Sequence, residues 1–146
     1  MRVRELRLTY HPIPGTADIG TGEPLTPASA RTLARRCLAG EAQEVFLAIL
    51  LDAKHRPLAV QIVARGTLST CEVHPREVLK GAVLANAYAV ITAHNHPSGD
   101  PTPSPDDLAC WGRLNQAGAI LGISFLDHVV IGDEGREYSH RERGGM

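Results

Sequence analysis

The amino-acid sequence predicts a single α/β domain built on a mixed central sheet flanked by helices. Three observations carry that reading. Apolar runs of strand length recur at residues 45–52, 58–64 and 123–131. Between them lie stretches whose apolar residues repeat at helical spacing and which open on Thr-Pro, His-Pro or Ser-Pro, the start signals of helices. A chain of 146 residues suits one core and is short for two.

Residues 1–25 alternate polar and apolar at first, then turn rich in Pro, Gly and Thr, as an N-terminal arm or edge strand followed by a loop. Thr26-Pro27 offers an N-cap and a first-turn proline for a helix reaching Ala39, with Gly40 placed to end it. Leu33, Ala34, Cys37 and Leu38 supply its apolar stripe. Two strands follow at 45–52 and 58–64, and their near-continuous hydrophobicity predicts burial on both faces. A third strand is expected at 67–73 after Gly66. His74-Pro75 opens a helix to about Ala87, with Val78, Ala82, Val83 and Ala85 as its buried stripe. A strand over 88–94 precedes a Pro/Gly loop, and Ser104-Pro105 opens a helix through Leu108, Trp111 and Leu114 to Gly118. The last strand spans 123–131, Gly132-Asp133-Glu134-Gly135 turns, and residues 140–146 read as a flexible tail after a domain of residues 26–139.

Composition excludes several classes. Hydrophobic residues make up 43% and charged residues 21%, an ordinary balance for a globular protein. A formal net charge of −1 gives no global attraction to nucleic acid. The apolar run near residues 45–51 is far below a membrane span, and Met1-Arg2-Val3-Arg4-Glu5 lacks a signal-peptide core. Cys37, Cys71 and Cys110 are widely spaced and form no Cys-x-x-Cys pair. They read as reduced packing residues of a cytoplasmic protein.

The chemistry concentrates in His94-Asn95-His96-Pro97-Ser98-Gly99-Asp100 and Ser104-Pro105-Asp106-Asp107. On a strand, His94 and His96 share one face and can point at one ion, and the Pro/Gly loop returns Asp107 towards them. Two imidazoles and one carboxylate leave a tetrahedral position open, as catalytic zinc sites do. Ser104 and Asp107 have an equally good local explanation, since serine, proline and acids at these positions cap a helix. A base is also needed for such a site, and Glu41, Glu44, Glu72 and Glu77 are all candidates that spacing does not separate. His74, Arg76, Asp127 and His128 rank below these. His128 reads as a core histidine, Asp127 as an orienting carboxylate or a strand-end hydrogen bonder, Arg76 as a partner of a nearby acid, and Cys110 as packing.

His94-x-His96, seven residues, Ser104, two residues, Asp107 resembles the JAMM signature of JAB/MPN metalloproteases. The RadC-like branch is closer still, through Gln43-Glu44-Val45-Phe46, Arg65-Gly66-Thr67-Leu68, Val73-His74-Pro75-Arg76-Glu77-Val78, His94-Asn95-His96-Pro97-Ser98-Gly99 and Leu126-Asp127-His128. This resemblance spans about residues 44–138. It implies the JAB/MPN fold, related to cytidine deaminases, with Zn2+ held by His94, His96 and Asp107 at a sheet edge. It implies Glu44 as general acid/base and Ser104 as the stabiliser of an oxyanion. It further implies a stand-alone form, because longer RadC-like proteins carry a helix-hairpin-helix-like domain before the JAB domain. The expected function is hydrolysis of a peptide or isopeptide bond in an unidentified peptide or protein. The alternative is a DNA repair or recombination accessory protein with a structural or vestigial metal, using a basic face of Arg31, Arg35, Arg36, Arg65 and Arg76. A third reading is an interaction module that co-purifies with a partner and turns nothing over.

Overall fold

A computed structural model describes residues 1–19, 22–66 and 73–146. In chain order the elements are α1 (Pro27–Leu38), β1 (Val45–Leu51), β2 (Pro57–Arg65), α2 (Pro75–Leu84), β3 (Ala89–Asn95), α3 (Pro105–Leu121), β4 (Ser124–Ile131) and β5 (Glu137–Ser139). The expected α/β architecture on a mixed sheet is the one observed. The strands form one sheet in the order β2-β1-β3-β4-β5. Only β3 and β4 pair in parallel; the other neighbours are antiparallel. The parallel pair needs a long crossover, and α3 provides it.

The alternation along β1 builds two cores. Val45, Leu47, Ile49 and Leu51 pack with Ala30, Leu33, Ala34 and Leu38 of α1 on one face. Phe46, Ala48 and Leu50 pack with α2 and α3 through Val78, Leu79, Ala82, Trp111 and Leu114 on the other. Every residue of β1 and β3 is buried, as a strand covered by helices on both faces must be. His94 follows Val90 and Thr92 on β3, stands beside Phe46 across the strand pair, and so faces α3.

Some expectations need correction. β2 is not buried on both faces; it ends the sheet, and Leu58 and Ile62 are 39% and 42% exposed. The stripe of α2 is Val78, Leu79 and Ala82, while Val83 faces solvent. That helix stops at Leu84, and Asn86 with φ 54° turns the chain into β3. α3 continues past Gly118 to Leu121, where Gly122 in the left-handed region closes it. β5 had no sequence signal, being three residues long and of mixed polarity. The strand expected at 67–73 lies outside the described residues, save Val73, which is buried without being in a strand.

The helix starts follow their local signals. Thr26 caps α1 and Ser104 caps α3, each with a reciprocal bond from the third helical residue, and His74 caps α2 through Nδ1. At the far end, Asp127 accepts from the Ser139 hydroxyl at 2.5 Å and the Arg141 N–H at 3.0 Å. It thus ties the C-terminal segment to β4 and reaches no imidazole.

Candidate metal centre

Four side chains from three places in the chain converge at the end of β3 and the start of α3. His94 Nε2 lies 3.1 Å from His96 Nε2, and Asp107 offers Oδ1 at 3.3 Å to the first and Oδ2 at 3.2 Å to the second. Glu44 Oε1 stands 3.8 Å from His94 Nε2. One ligand atom from each of the four falls within 4.8 Å of all the others.

Each position has a local cause. The β1–β3 register sets Phe46 opposite His94, so Glu44, two residues before Phe46, continues the same face towards His96. The His96 N–H donates to the Ile131 carbonyl at 3.0 Å, keeping that residue on the sheet edge after the strand ends. Asp107 sits in the first turn of α3, where its Oδ2 accepts from the Ser104 N–H at 2.9 Å and its own N–H donates to Ser104 Oγ at 3.1 Å. The capping and site readings of Ser104-x-x-Asp107 therefore coexist: the cap aims the carboxylate at the imidazoles.

The loop between His96 and Asp107 is clamped from the β4–β5 turn. The Gly99 carbonyl accepts from the Asp133 N–H at 3.0 Å and from Arg136 at 2.9 Å. Gly99 has φ 89°, and a Cβ there would meet the Asp133 carboxylate at 2.1 Å. This clamp presents the Asp100 carbonyl to His96 Nδ1 at 2.8 Å. A carbonyl only accepts, so Nδ1 carries a proton, and whenever the ring is neutral its Nε2 faces the cluster with a free lone pair. His94 is held by packing instead. Its Nδ1 is buried without a hydrogen-bond partner, and its ring stacks on Phe46 at 5.7 Å and tilts against Trp111 at 6.2 Å.

The donor set fits a cation. With His96 neutral, its Nε2 faces a carboxylate oxygen and a second ring nitrogen, and these acceptors need positive charge between them, from a metal ion or from a proton on the ring. Ligands at the 2.0–2.2 Å bond lengths of tetrahedral zinc stand about 3.3–3.6 Å apart; here the two ring nitrogens are 3.1 Å apart, and each has one Asp107 oxygen at 3.2–3.3 Å. Burial alone would raise the Asp107 carboxyl, but bonds from His94, His96 and the Ser104 N–H outweigh it and hold the group well below the carboxylate range. His96 is raised, first by its bond to Asp107 and against its own burial. Glu44 is raised by burial, with the two histidines opposing. Such a carboxylate, partly exposed beside two imidazoles, is placed to take up and return a proton.

The structure separates the glutamates that spacing left open. Glu41 pairs with Arg65 at 2.8 Å, and Glu77 pairs with Lys80 at 2.5 Å. Glu72 lies outside the described residues. Among the described residues, Glu44 alone joins the histidines. His128 is a satisfied core histidine: Thr92 Oγ1 donates to its Nδ1 at 2.5 Å, its Nε2 donates to Asn115 Oδ1 at 3.0 Å, and burial pushes its pKa down to about 3. Cys110 is buried on α3, its Sγ 3.9 Å from the Val73 carbonyl. Each arginine of the expected basic face has a carboxylate partner: Arg31 and Arg35 with Glu137, Arg36 with Asp18, Arg65 with Glu41, Arg76 with Glu77. The supports Phe46, Trp111 and the Asp100 carbonyl escaped the sequence reading. The first two looked like ordinary core, and a backbone carbonyl leaves no mark in a sequence.

Comparison with known proteins agrees with the geometry. The family model described as a RadC-like JAB domain matches residues 25–145. A UPF0758 protein of Stenotrophomonas maltophilia is 45% identical over 130 residues, covering 88% of this chain and 55% of the relative. One of Xanthomonas campestris is 46% identical over 129 residues, covering 88% and 57%. One of Symbiobacterium thermophilum is 54% identical over 101 residues, covering 69% and 43%. The chain thus spans about half the length of the curated relatives it matches, and their names state no activity. Among the described residues, no helix is long and apolar enough to cross a membrane.

Proposed function

This chain belongs to the family of RadC-like JAB domains, and from that premise we propose that it is a zinc-dependent hydrolase of the JAMM type, cleaving a peptide or isopeptide bond. The observation that carries the reading is the convergence of His94, His96 and Asp107, with Glu44 beside them and all four within 4.8 Å. The two imidazoles and Asp107 would hold the zinc, which would supply a Lewis acid able to lower the pKa of a water to about 7.

The chain's own residues do the rest. His96 keeps Nε2 available because Asp100 holds the Nδ1 proton. Glu44 takes the proton of the attacking water and returns it to the leaving nitrogen, a transfer favoured by its raised pKa. Ser104 Oγ accepts the Asp107 N–H, which leaves its hydroxyl hydrogen to donate to the oxyanion. Loss of such a donor costs about 10²–10³ in rate.

The test is zinc content by mass spectrometry of wild type, His96→Ala and Glu44→Gln, followed by cleavage of a proteome-derived peptide library. About one zinc per chain in wild type and Glu44→Gln, little in His96→Ala, and cleavage by wild type alone is the expected pattern. Wild-type protein that takes up no zinc on reconstitution sinks the reading.

A further inference from the structure

Asn95 stands between the two histidines, and its side chain does what a backbone peptide group would do one step further along the sheet. The β1–β3 ladder ends with Phe46 opposite His94. Beyond that point the Asn95 amide takes over. Its Oδ1 accepts from the Val45 N–H at 2.8 Å, and its Nδ2 donates to the Gln43 carbonyl at 3.1 Å. The two bonds bracket Glu44 on one side, and the Gly66 N–H donates to the Glu44 carbonyl at 3.0 Å on the other. Asn95 is 7% exposed, so neither bond competes with much water.

We infer that Asn95 is a positioning residue: its side-chain amide holds the backbone on both sides of Glu44 and so sets that carboxylate against His94 and His96. The inference rests on the role proposed above for Glu44. A primary amide of this length is suited to the task because it carries one acceptor and one donor in the fixed plane of a peptide group. Aspartate keeps the acceptor for Val45 and loses the donor for Gln43. Alanine keeps neither. One residue of strand period links the two halves of the site, since the same β3 segment offers His94 and His96 to the ion and Asn95 to the strand that bears the base.

The experiment compares wild type, Asn95→Ala, Asn95→Asp, Glu44→Gln and the Asn95→Ala/Glu44→Gln double variant. Amide hydrogen exchange at Val45 is read by NMR, and zinc affinity by competition with a chromogenic chelator. In Asn95→Ala the Val45 amide should exchange roughly 10²-fold faster, while Ile49 and Leu50 in the same strand stay protected. Asn95→Asp should keep Val45 protected, which separates a lost bond from general loosening. Glu44→Gln and Asn95→Ala should each weaken zinc by about 10-fold, in the range of outer partners of a metal site, and the double variant should weaken it no further. Unchanged exchange at Val45 in Asn95→Ala overturns the inference, as does a double variant in which the two losses multiply. Zinc weakened by Asn95→Ala but not by Glu44→Gln would mean that Asn95 acts on the ligands rather than through Glu44, and overturns the inference as well. The acid/base role of Glu44 is judged separately, by loss of cleavage in a Glu44→Gln protein that keeps its zinc.

Discussion

Asp107 serves a helix and a candidate ion with the same carboxylate, and Asp107→Asn separates the two. An asparagine oxygen can still accept the Ser104 N–H that Asp107 Oδ2 accepts at 2.9 Å. The helix then loses only one of the negative charges in its first turn, where Asp106 remains, at roughly 0.3–1 kcal/mol. At about 2–4 °C per kcal/mol for a chain near this size, the zinc-free variant should melt within roughly 4 °C of wild type. The ion should feel far more. Loss of an outer partner of a metal costs 10–100-fold in affinity, so loss of an anionic ligand should exceed about 100-fold. A 100-fold loss removes about 2.7 kcal/mol of saturating ligand stabilisation, or roughly 5–10 °C of the zinc-induced rise in Tm. The assay is thermal unfolding at about pH 8 with and without a fixed zinc concentration. Ser104→Ala serves as the counterpart, losing roughly 1 kcal/mol of cap and keeping the zinc-induced rise. An Asp107→Asn protein with the full rise would show that Asp107 caps and does not ligate. A zinc-free loss above about 2 kcal/mol would show that the Asp107 charge also holds the two imidazoles in the absence of the ion.

Three other outcomes are expected. His128 has a folded pKa of about 3 against 6.5 for the free group, so between those values the unfolded chain binds a proton that the folded one refuses. Stability should fall as pH drops below 6.5, and urea unfolding at pH 7 and 5 should show His128→Gln losing about 2 kcal/mol less than wild type; equal slopes would mean that His128 is not buried neutral. Gly99→Ala places a Cβ 2.1 Å from the Asp133 carboxylate at φ 89° and should cost roughly 1–3 kcal/mol in thermal unfolding. Adding Asp133→Ala should restore the steric share only, and full restoration would locate no strain at Gly99. Trp111, 1% exposed between His94 and His128, should cost about 3–5 kcal/mol as Trp111→Ala, and a loss under 1 kcal/mol in chemical denaturation would contradict its place in the core.

Much of the site was legible because its residues lie close together in the chain. His94, His96, Ser104 and Asp107 fall within one strand, one loop and one helix start, and strand period, proline and capping chemistry suffice to bring them near one another. Glu44 is the opposite case. It lies fifty residues before His94; its place before a buried strand made it a candidate beside Glu41, Glu72 and Glu77, but residue spacing alone left the choice open and the family resemblance singled it out. Asn95 was quoted within a motif yet carried no role, because its partners at Gln43 and Val45 appear only once β1 and β3 are paired. The buried stripe of α2 was misplaced at Val83 for a similar reason: that residue is apolar enough for the core, and only the packing of the helix on the sheet turns it to solvent.

By itself, then, the sequence determined the main elements, the starts of the helices and the ligand-bearing loop, since periodicity, caps and turns are written within a few residues of where they act. Tertiary structure decided the rest. The β1–β3 register brings Glu44 to His94, the parallel β3–α3–β4 crossover delivers Asp107, and the place of β2 at the end of the sheet leaves it half covered. Those outcomes depend on which distant surfaces bury one another, and no short window of residues contains both partners.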